Sequence, residues 1–414
     1  MKRRISWLIG LLIAVPAIAS DALFDRIEEA LTFSGAEGHV RGRMSGTMEF
    51  EGYVLQQPYP GLIHTHREQL FVPRLTVFVD AQVGRNVYLF AQARADRGFD
   101  PGDANGEVRL DEYAVRYTPV NGGKFSAQIG KFATIVGNWA GRHSGWSNPF
   151  INAPVPYENL TGIWDTEAIR SSQVLLQWSH LRPGLPASVT AIEKTLRVPI
   201  VWGPSYATGA AMAGDIGRFR YAAEIKAGSL SSRPEAWHHS REQRHHPTIS
   251  ARVGYRPNQM WNVGFSASEG AYLRESAERS LAAGRNRGDY LQWVIAHDVS
   301  FAWRHWQVWG EIYGSRFEIP NVGDADTIAY YVEAKYKFTP QFSGALRWNE
   351  QQFSTIIHRG VRTQWGQDIW RVDFAPAYRF TPHTQLKLQY SLQHGDSGPR
   401  STTRSLAAQL LLRF

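Results

Sequence analysis

Cysteine is absent from this 414-residue sequence, and after residue 19 no apolar stretch approaches the length of a membrane-spanning helix. A chain without cysteine has neither a disulfide scaffold nor thiolate metal ligands. The net charge of +8 is small and dispersed, which argues against a nucleic-acid partner. The motifs G-x-S-x-G and H-E-x-x-H and a Walker loop are also missing. The sequence therefore predicts neither an enzyme nor a bound cofactor.

The beginning of the chain has the three parts of a secretory signal peptide. Residues 2–4 are basic, residues 5–18 form an apolar stretch, and residues 17–19 form a small-x-small cleavage site. An uncleaved anchor helix is the alternative, but the stretch is shorter than the roughly 20 residues that span a bilayer. We expect an exported chain with three parts: a signal peptide at 1–19, a periplasmic leader or short helix at 20–39, and the main domain at 40–414.

From about Val40 to the end, apolar and polar residues alternate with a period of two. In residues 219–226, for example, the odd positions are apolar and most even positions are charged. Each strand thus has one face suited to lipid and one suited to water, which is compatible with a mean hydropathy of −0.35. A soluble β-sandwich also alternates, but crossovers rather than a simple meander would join its strands. Residues 40–414 are predicted to form an all-β, transmembrane, antiparallel up-and-down β-barrel in a Gram-negative outer membrane.

The connections between the predicted strands are alternately short and long. Bacterial barrels have short periplasmic turns and long extracellular loops. The short connections lie at residues 83–86, 118–124, 182–184, 214–217, 256–258, 304, 339–340 and 381–382. They predict about 18 strands, an even number as closed bacterial barrels require. Because the first strand and the one at residues 187–195 are the weakest, about 16 strands is the alternative count.

Aromatic residues cluster where the predicted strands meet the short turns. Amphipathic rings prefer the level of the lipid headgroups, so this cluster predicts the lower aromatic girdle of a barrel, in contact with outer-membrane lipid. Its members are Tyr113, Tyr117, Tyr255, Trp261, Trp306, Tyr336, Phe338, Phe342, Tyr378 and Phe380.

Two segments resemble known barrel proteins. The last strand places Leu406, Leu410 and terminal Phe414 on one face. This resembles the C-terminal signature of outer-membrane barrels, which implies that Phe414 is an assembly signal read by the barrel-assembly machinery. Residues 109–117, followed by 128–132, resemble paired strands of porins of the phosphate-selective O/P type. That match, over about residues 70 to 170, implies a porin-like channel, with a homotrimer as one option.

The longest predicted loop, Thr134 to Glu167, follows the fifth predicted strand. In trimeric porins the loop at this place folds into the barrel and narrows it, so the resemblance implies a constriction here. The residues expected in it are Trp139, Arg142, His143, Trp146, Phe150, Tyr157 and Glu158. A loop that only covers the mouth is the alternative. The loop lacks the ladders of Arg and clusters of Lys expected of phosphate-selective porins, so phosphate selectivity is not carried over.

The water-facing sides of the predicted strands carry more cations than anions. The residues expected to line the pore are Arg94, Glu112, Arg116, Arg218, Arg220, Glu224, Lys226, Arg252, Glu311, Glu333, Lys335, Arg347, Arg371, Asp373 and Lys387. Because a low-dielectric wall focuses the field of these charges, a surplus of cations would concentrate anions in the lumen. The alternative is that the charges pair across neighbouring strands. We expect a channel for passive diffusion of small hydrophilic solutes, with a mild anion preference.

The sequence also contains residues that would suit functions other than a channel. Asp100, Asp103, Asn105 and Asp111 could bind Ca²⁺, and His64, His66, His238, His239, His245 and His246 could bind a transition metal. A solvated polar loop explains both groups more simply, so no metal site is predicted. A transporter of hydrophobic compounds, a structural or adhesin barrel and an outer-membrane lipase are the alternatives. The lipase would need an outward Ser beside an outward His near the rim; His297 is outward, but no such Ser is evident beside it.

Overall fold

The computed structural model describes residues 21–57, 59, 61–98, 102, 105–119, 122–179, 194–234, 245–395 and 402–414. The predicted signal peptide, the short connection at 182–184 and most of the predicted strand at 187–195 lie outside these residues. Within residues 20–39 the chain forms helix α1 (Asp21–Ala30) and strand β1 (Thr32–Gly35).

Sixteen antiparallel strands of the described chain close into a barrel, each paired with its neighbours in sequence. A separate hairpin, β15 and β16, lies in the long loop between β14 and β17. The strands are β2 (Val40–Leu55), β3 (Gln69–Val83), β4 (Val87–Asp96), β5 (Glu107–Tyr117), β6 (Ser126–Phe132), β7 (Ala207–Ile216), β8 (Phe219–Lys226), β9 (Thr248–Tyr255), β10 (Trp261–Ala271), β11 (Leu291–Trp303), β12 (Trp306–Ile319), β13 (Gly323–Lys337), β14 (Phe342–Phe353), β15 (Thr355–His358), β16 (Val361–Gln364), β17 (Ile369–Arg379), β18 (Thr384–His394) and β19 (Thr402–Arg413).

The barrel closes where β19 pairs with β2, with Arg413 opposite Thr47 at the periplasmic end. Beyond β19, Phe414 exchanges backbone hydrogen bonds of 3.0 and 2.8 Å with Gly46. A side chain at Gly46 would place its Cβ 2.5 Å from the Phe414 ring, so only glycine fits under that ring. Strand β1 then pairs with the first residues of β2 along the same edge. The N-terminal strand and the C-terminal residue therefore lie end to end beside β2.

The count of 18 strands is not confirmed, and the alternative of 16 fits. The difference lies between β6 and β7. Alternation of apolar and polar residues predicted a strand between residue 169 and the short connection at 182–184. Ser172–Trp178 form helix α3 instead. The Ser171 hydroxyl caps this helix by accepting a hydrogen bond of 3.4 Å from Val174 N. Leu175 is fully buried in an apolar cluster, so tertiary packing together with the cap favours the helix here.

The outer surface of the barrel is apolar. Ile129 is 65 % exposed and Phe338 is 57 % exposed, as expected for side chains that meet lipid. At the periplasmic ends of the strands the rings contact one another; the ring centroids of Trp306 and Tyr336, for example, lie 4.7 Å apart. The predicted alternation between a lipid face and a water face is confirmed by this arrangement.

Among the described residues, no helix is long and apolar enough to cross a membrane.

An apolar cluster lies at the extracellular end of the barrel. It joins the loop between β6 and β7 to the loops that follow β10, β12 and β14. Its buried members include Ile163, Ile169, Leu175, Val198, Tyr272, Leu273, Phe317, Ile319, Ile356 and Trp365. We call this group the extracellular cluster.

Candidate functional site: the lumen and its loop

The connection between β6 and β7 enters the barrel in its described parts, residues 133–179 and 194–206; we call it the lumen loop. At its start, Thr134 Oγ1 donates a hydrogen bond of 2.8 Å to Glu224 on the inner wall of β8. A few residues later, Arg252 of β9 donates a hydrogen bond of 2.7 Å to Gly137 O. The loop thus runs along the inside of the wall. All seven residues named for the constriction belong to it.

The middle of the lumen loop is held by α2 (Val155–Glu158). The Tyr157 hydroxyl donates to Glu311 Oε2 of β12 at 2.6 Å, and Val155 N donates to Asn349 Oδ1 of β14 at 3.1 Å. Tyr157 is fully buried, and burial raises its pKa well above the usual value. The hydroxyl therefore keeps its proton and remains a donor to the wall.

Arg142 of the loop reaches the wall of β12 and β13. Its guanidinium forms an ion pair with Glu333 and donates a hydrogen bond of 2.9 Å to the Tyr331 hydroxyl. The same group lies 4.6 Å from the ring centroid of Trp309. A wall carboxylate therefore balances this charge at the point where the loop is nearest to β13.

His143 is held in one neutral form. Its Nδ1 lies 2.6 Å from Ala140 O, and its Nε2 lies 2.7 Å from the Tyr206 hydroxyl. A carbonyl oxygen can only accept, so Nδ1 carries the proton and Nε2 accepts from Tyr206. Burial is the main cause that lowers the pKa of His143 to about 4. The imidazole is therefore neutral at pH 7.

A buried chain of charges connects the loop to β14 and β17. Arg371 pairs with Glu158 of the loop and, at 3.1 Å, with Asp373. Arg347 pairs with the same Asp373 at 2.9 Å and lies 4.2 Å from the centroid of the Phe150 ring. Burial raises the pKa of Glu158, and the two arginines act against this shift. These charges hold the loop and are not open to passing ions.

The part of the loop nearest the periplasm meets cations from the last strands. The Trp146 ring centroid lies 4.1 Å from the Arg413 guanidinium carbon and 5.0 Å from that of Arg379. Lys387 of β18 donates a hydrogen bond of 2.9 Å to Asn148 O. Arginine and lysine side chains therefore surround the tip of the loop.

A second buried charge network lies on β2 to β5, and the sequence analysis missed most of it. Arg74 pairs with Glu51 and with Asp96, each at 3.0 Å. Arg109 pairs with Asp96 and, at 2.8 Å, with Asp111. The period-two alternation could have revealed this network, because Glu51, Arg74 and Asp96 lie on the water face of their strands.

Asp111 was not expected to face the lumen, because a β-bulge breaks the alternation beside it. The pairing of β4 with β5 shifts between Gln92 and Ala93, so one residue of β5 is extra. Asp111 pairs with Arg94 at 3.1 Å, and Glu112 accepts a hydrogen bond of 2.8 Å from the loop backbone. Strict alternation would put only one of two adjacent residues inside, whereas the bulge brings both there.

Other residues expected to line the pore also form hydrogen bonds or charge contacts. Arg116 donates to Gln128 at 2.8 Å, and Lys226 donates to Phe132 O at 2.8 Å. Lys226 also lies 3.5 Å from a carboxylate oxygen of Glu224. Ion pairs across neighbouring strands, the alternative that the sequence left open, hold five of the named charges: Arg94, Arg220, Glu333, Arg347 and Asp373.

Four cations form a group on the periplasmic part of the inner wall. They are Lys335, Lys337, Arg379 and Arg413. In the described part of the chain, no carboxylate lies within 4.0 Å of their charged atoms, and Lys337 and Arg379 are exposed. We call this group the vestibule cations. It places positive charge without a carboxylate partner on the periplasmic side of the loop.

Neither the Ca²⁺ alternative nor the transition-metal alternative is supported by the described residues. Asp100, Asp103, His238 and His239 lie outside the described residues. Asp111 is committed to ion pairs with two arginines. Over the described residues, no group of three or more His, Asp or Glu side chains is arranged to hold a metal ion.

The closed barrel, apolar outside and charged inside, is built for an outer membrane. No protein-family model and no curated protein matches this chain. Among solved structures it is similar to Vibrio cholerae OmpT, at 11 % identity, 92 % coverage of this chain, 100 % of that chain and a TM-score of 0.53. Salmonella typhi OmpF matches at 10 % identity over 92 % of this chain and 100 % of that one, with a TM-score of 0.57. An anion-selective porin from Comamonas acidovorans matches at 9 % identity over 91 % and 100 %, with a TM-score of 0.54. The chain thus shares the fold of outer-membrane porin β-barrels.

Proposed function

We propose that this protein is a porin-like channel for passive diffusion of small hydrophilic solutes, with a mild preference for anions and no catalytic activity. The observation that carries the proposal is the contrast between the two halves of the lumen. Four arginines that meet the lumen loop are paired with carboxylates, whereas the vestibule cations are not; the paired ones are Arg142, Arg252, Arg347 and Arg371. Because a low-dielectric wall focuses their field, anions would be concentrated on the periplasmic side of the constriction.

The similar structures support a role as a porin-like channel, whereas the anion preference and the oligomeric state are proposals. Among the solved structures that share this fold, one is named an anion-selective porin and one is described as a trimer form. A homotrimer is therefore part of the proposal. The likeness of residues 109–117 to porins of the phosphate-selective O/P type supports the porin architecture, and phosphate selectivity is not proposed.

The experiment is a reversal-potential measurement on the purified protein in planar bilayers under a KCl gradient. We expect the wild type to favour chloride and the variant K335Q/K337Q/R379Q to lose most of that preference. R359Q is the matched control, because Arg359 is exposed in the extracellular β15–β16 hairpin and its loss also removes positive charge. A cation-selective wild type would overturn the anion preference.

A sealed barrel with a structural role is the second candidate. The observation that favours it is the burial of wall residues along the lumen loop, where Tyr313 and Arg347 are 0 % exposed. A loop packed this closely leaves little room for a wide pore. The same bilayer experiment separates the two candidates, because a sealed barrel gives no ion current above the protein-free background.

A further inference from the structure

A small cavity lies at the periplasmic mouth of the barrel, between the β7–β8 turn and the turn that follows β9. Its volume is about 140 Å³. It lies apart from the vestibule cations and the lumen loop, and shares no residue with them. The lining residues are Asp215, Gly217, Arg218, Phe219, Arg220, Gly254, Arg256 and Asn262.

Three arginines line this cavity, and only one of them has a carboxylate partner. Asp215 holds Arg220 by two contacts, Nε to Oδ1 at 2.8 Å and Nη2 to Oδ2 at 3.3 Å. Arg256 N donates to Arg218 O at 2.8 Å, which keeps the two turns together. Over the described chain, neither Arg218 nor Arg256 lies within ion-pair distance of a carboxylate. The cavity therefore has a surplus of two positive charges.

The floor of the cavity is open because of a glycine. Gly254 pairs with Arg220 in the sheet, and an added Cβ there would meet its nearest atoms only at 3.6 and 3.7 Å. Glycine is therefore not required by the backbone packing, and its effect is to leave space between the arginines. On the next strand, Asn262 adds an amide, which can donate to a bound oxygen atom.

We propose that this cavity binds the carboxylate group of a small organic acid. The planar guanidinium group matches a carboxylate through paired hydrogen bonds, and two guanidinium groups are available here. The Arg220–Asp215 pair already shows an arginine of this cavity in that geometry. The proposal deepens the anion preference and rests on the proposed channel, because solutes reach this mouth through the lumen.

Charge should decide what the site accepts. Asp215 lies in the cavity wall and accepts hydrogen bonds without donating any. Its charge offsets one of the three arginines, and the two guanidinium groups that remain attract an anion. A carboxylate should therefore bind, and a neutral amide of the same shape should not.

The test measures binding without requiring conduction. The full-length protein in detergent micelles is titrated with ¹³C-labelled propionate, and NMR line broadening reports the bound fraction. Propionamide is the comparison probe, because it has the shape of propionate and no charge. We expect R218Q/R256Q to weaken propionate binding about tenfold or more, since charged hydrogen bonds are lost. G254V should weaken it too, because it fills the cavity and keeps every charge.

R170Q serves as the matched control, because Arg170 is 76 % exposed and lies far along the chain in an extracellular part of the lumen loop. Propionate binding that is equal in R218Q/R256Q and R170Q would overturn the proposal, as would propionamide binding as tightly as propionate. A protein that conducts ions without binding propionate refutes this site alone. A protein that binds propionate without conducting refutes the channel alone.

Discussion

The Tyr157 hydroxyl lies 2.6 Å from Glu311 Oε2, so one hydrogen bond joins the middle of the lumen loop to the wall of β12. The same carboxylate oxygen lies 2.8 Å from the Tyr313 hydroxyl. Two buried tyrosines thus satisfy one buried acid. The loop and the wall are coupled at this point, and several predictions about the loop depend on that coupling.

Replacing Tyr157 by phenylalanine should loosen the lumen loop. The variant leaves Glu311 with one donor fewer in a buried site, which costs about 1–3 kcal/mol. We expect faster protease cleavage within residues 133–206 and a larger single-channel conductance. Y117F is the control, because Tyr117 is 50 % exposed on the outer surface. Equal cleavage rates in the two variants would contradict the prediction.

Removing one partner of the Glu158–Arg371 pair should have a larger effect. E158Q leaves Arg371 buried with only part of its charge compensated, at a cost on the order of 3 kcal/mol. The double variant E158M/R371M should cost less, because neither charge is then left unpaired. Denaturant-dependent proteolysis of the loop measures both. A double variant that is less stable than E158Q would argue against this account.

Acid should weaken the packing of the lumen loop through His143. The free imidazole takes up a proton near pH 6.5, whereas burial keeps the pKa of His143 at about 4. The released loop therefore binds more protons than the packed loop between these values, so stability falls as the pH is lowered through this window. Protease cleavage of the loop from pH 7 to pH 4 would show the change. H143Q should remove this part of the pH dependence, and an unchanged profile would refute it.

Replacing Gly46 by valine should impair closure of the barrel. A Cβ at this position would lie 2.5 Å from the Phe414 ring and 2.8 Å from Thr76 O. G310V is a matched control on another strand, because the nearest atoms there lie at 3.5 Å or more. Heat-modifiable migration on SDS gels measures the folded fraction. We expect less folded protein for G46V than for G310V, and equal fractions would show that the seam tolerates the side chain.

The sequence predicted the barrel well because its period-two alternation is a local signal. Each strand face can be read from residues two positions apart, as in Glu224 and Lys226. The strand count failed between β6 and β7 because helix α3 depends on packing of Leu175 in the extracellular cluster. Contacts of that kind join distant parts of the chain and leave no periodic trace in the sequence.

The candidate site was predicted only in part for a related reason. A loop that folds into the barrel was expected from a resemblance, and its residues do meet the wall. The pairing of charges was not readable, because partners such as Glu158 and Arg371 are 213 positions apart. The bulge at Asp111 also broke the alternation on which the lumen assignment depended.

The wall contacts of the lumen loop also constrain the order of assembly. Tyr157 is separated from Glu311 by 154 positions, and Lys387 from Asn148 by 239, so these bonds form only when late strands have curved around the loop. Contacts of such long sequence separation are slow to form. The extracellular cluster also packs the loop against the connections that follow β10, β12 and β14. The loop must therefore be inside before the cylinder is sealed, and the last step of folding traps it there.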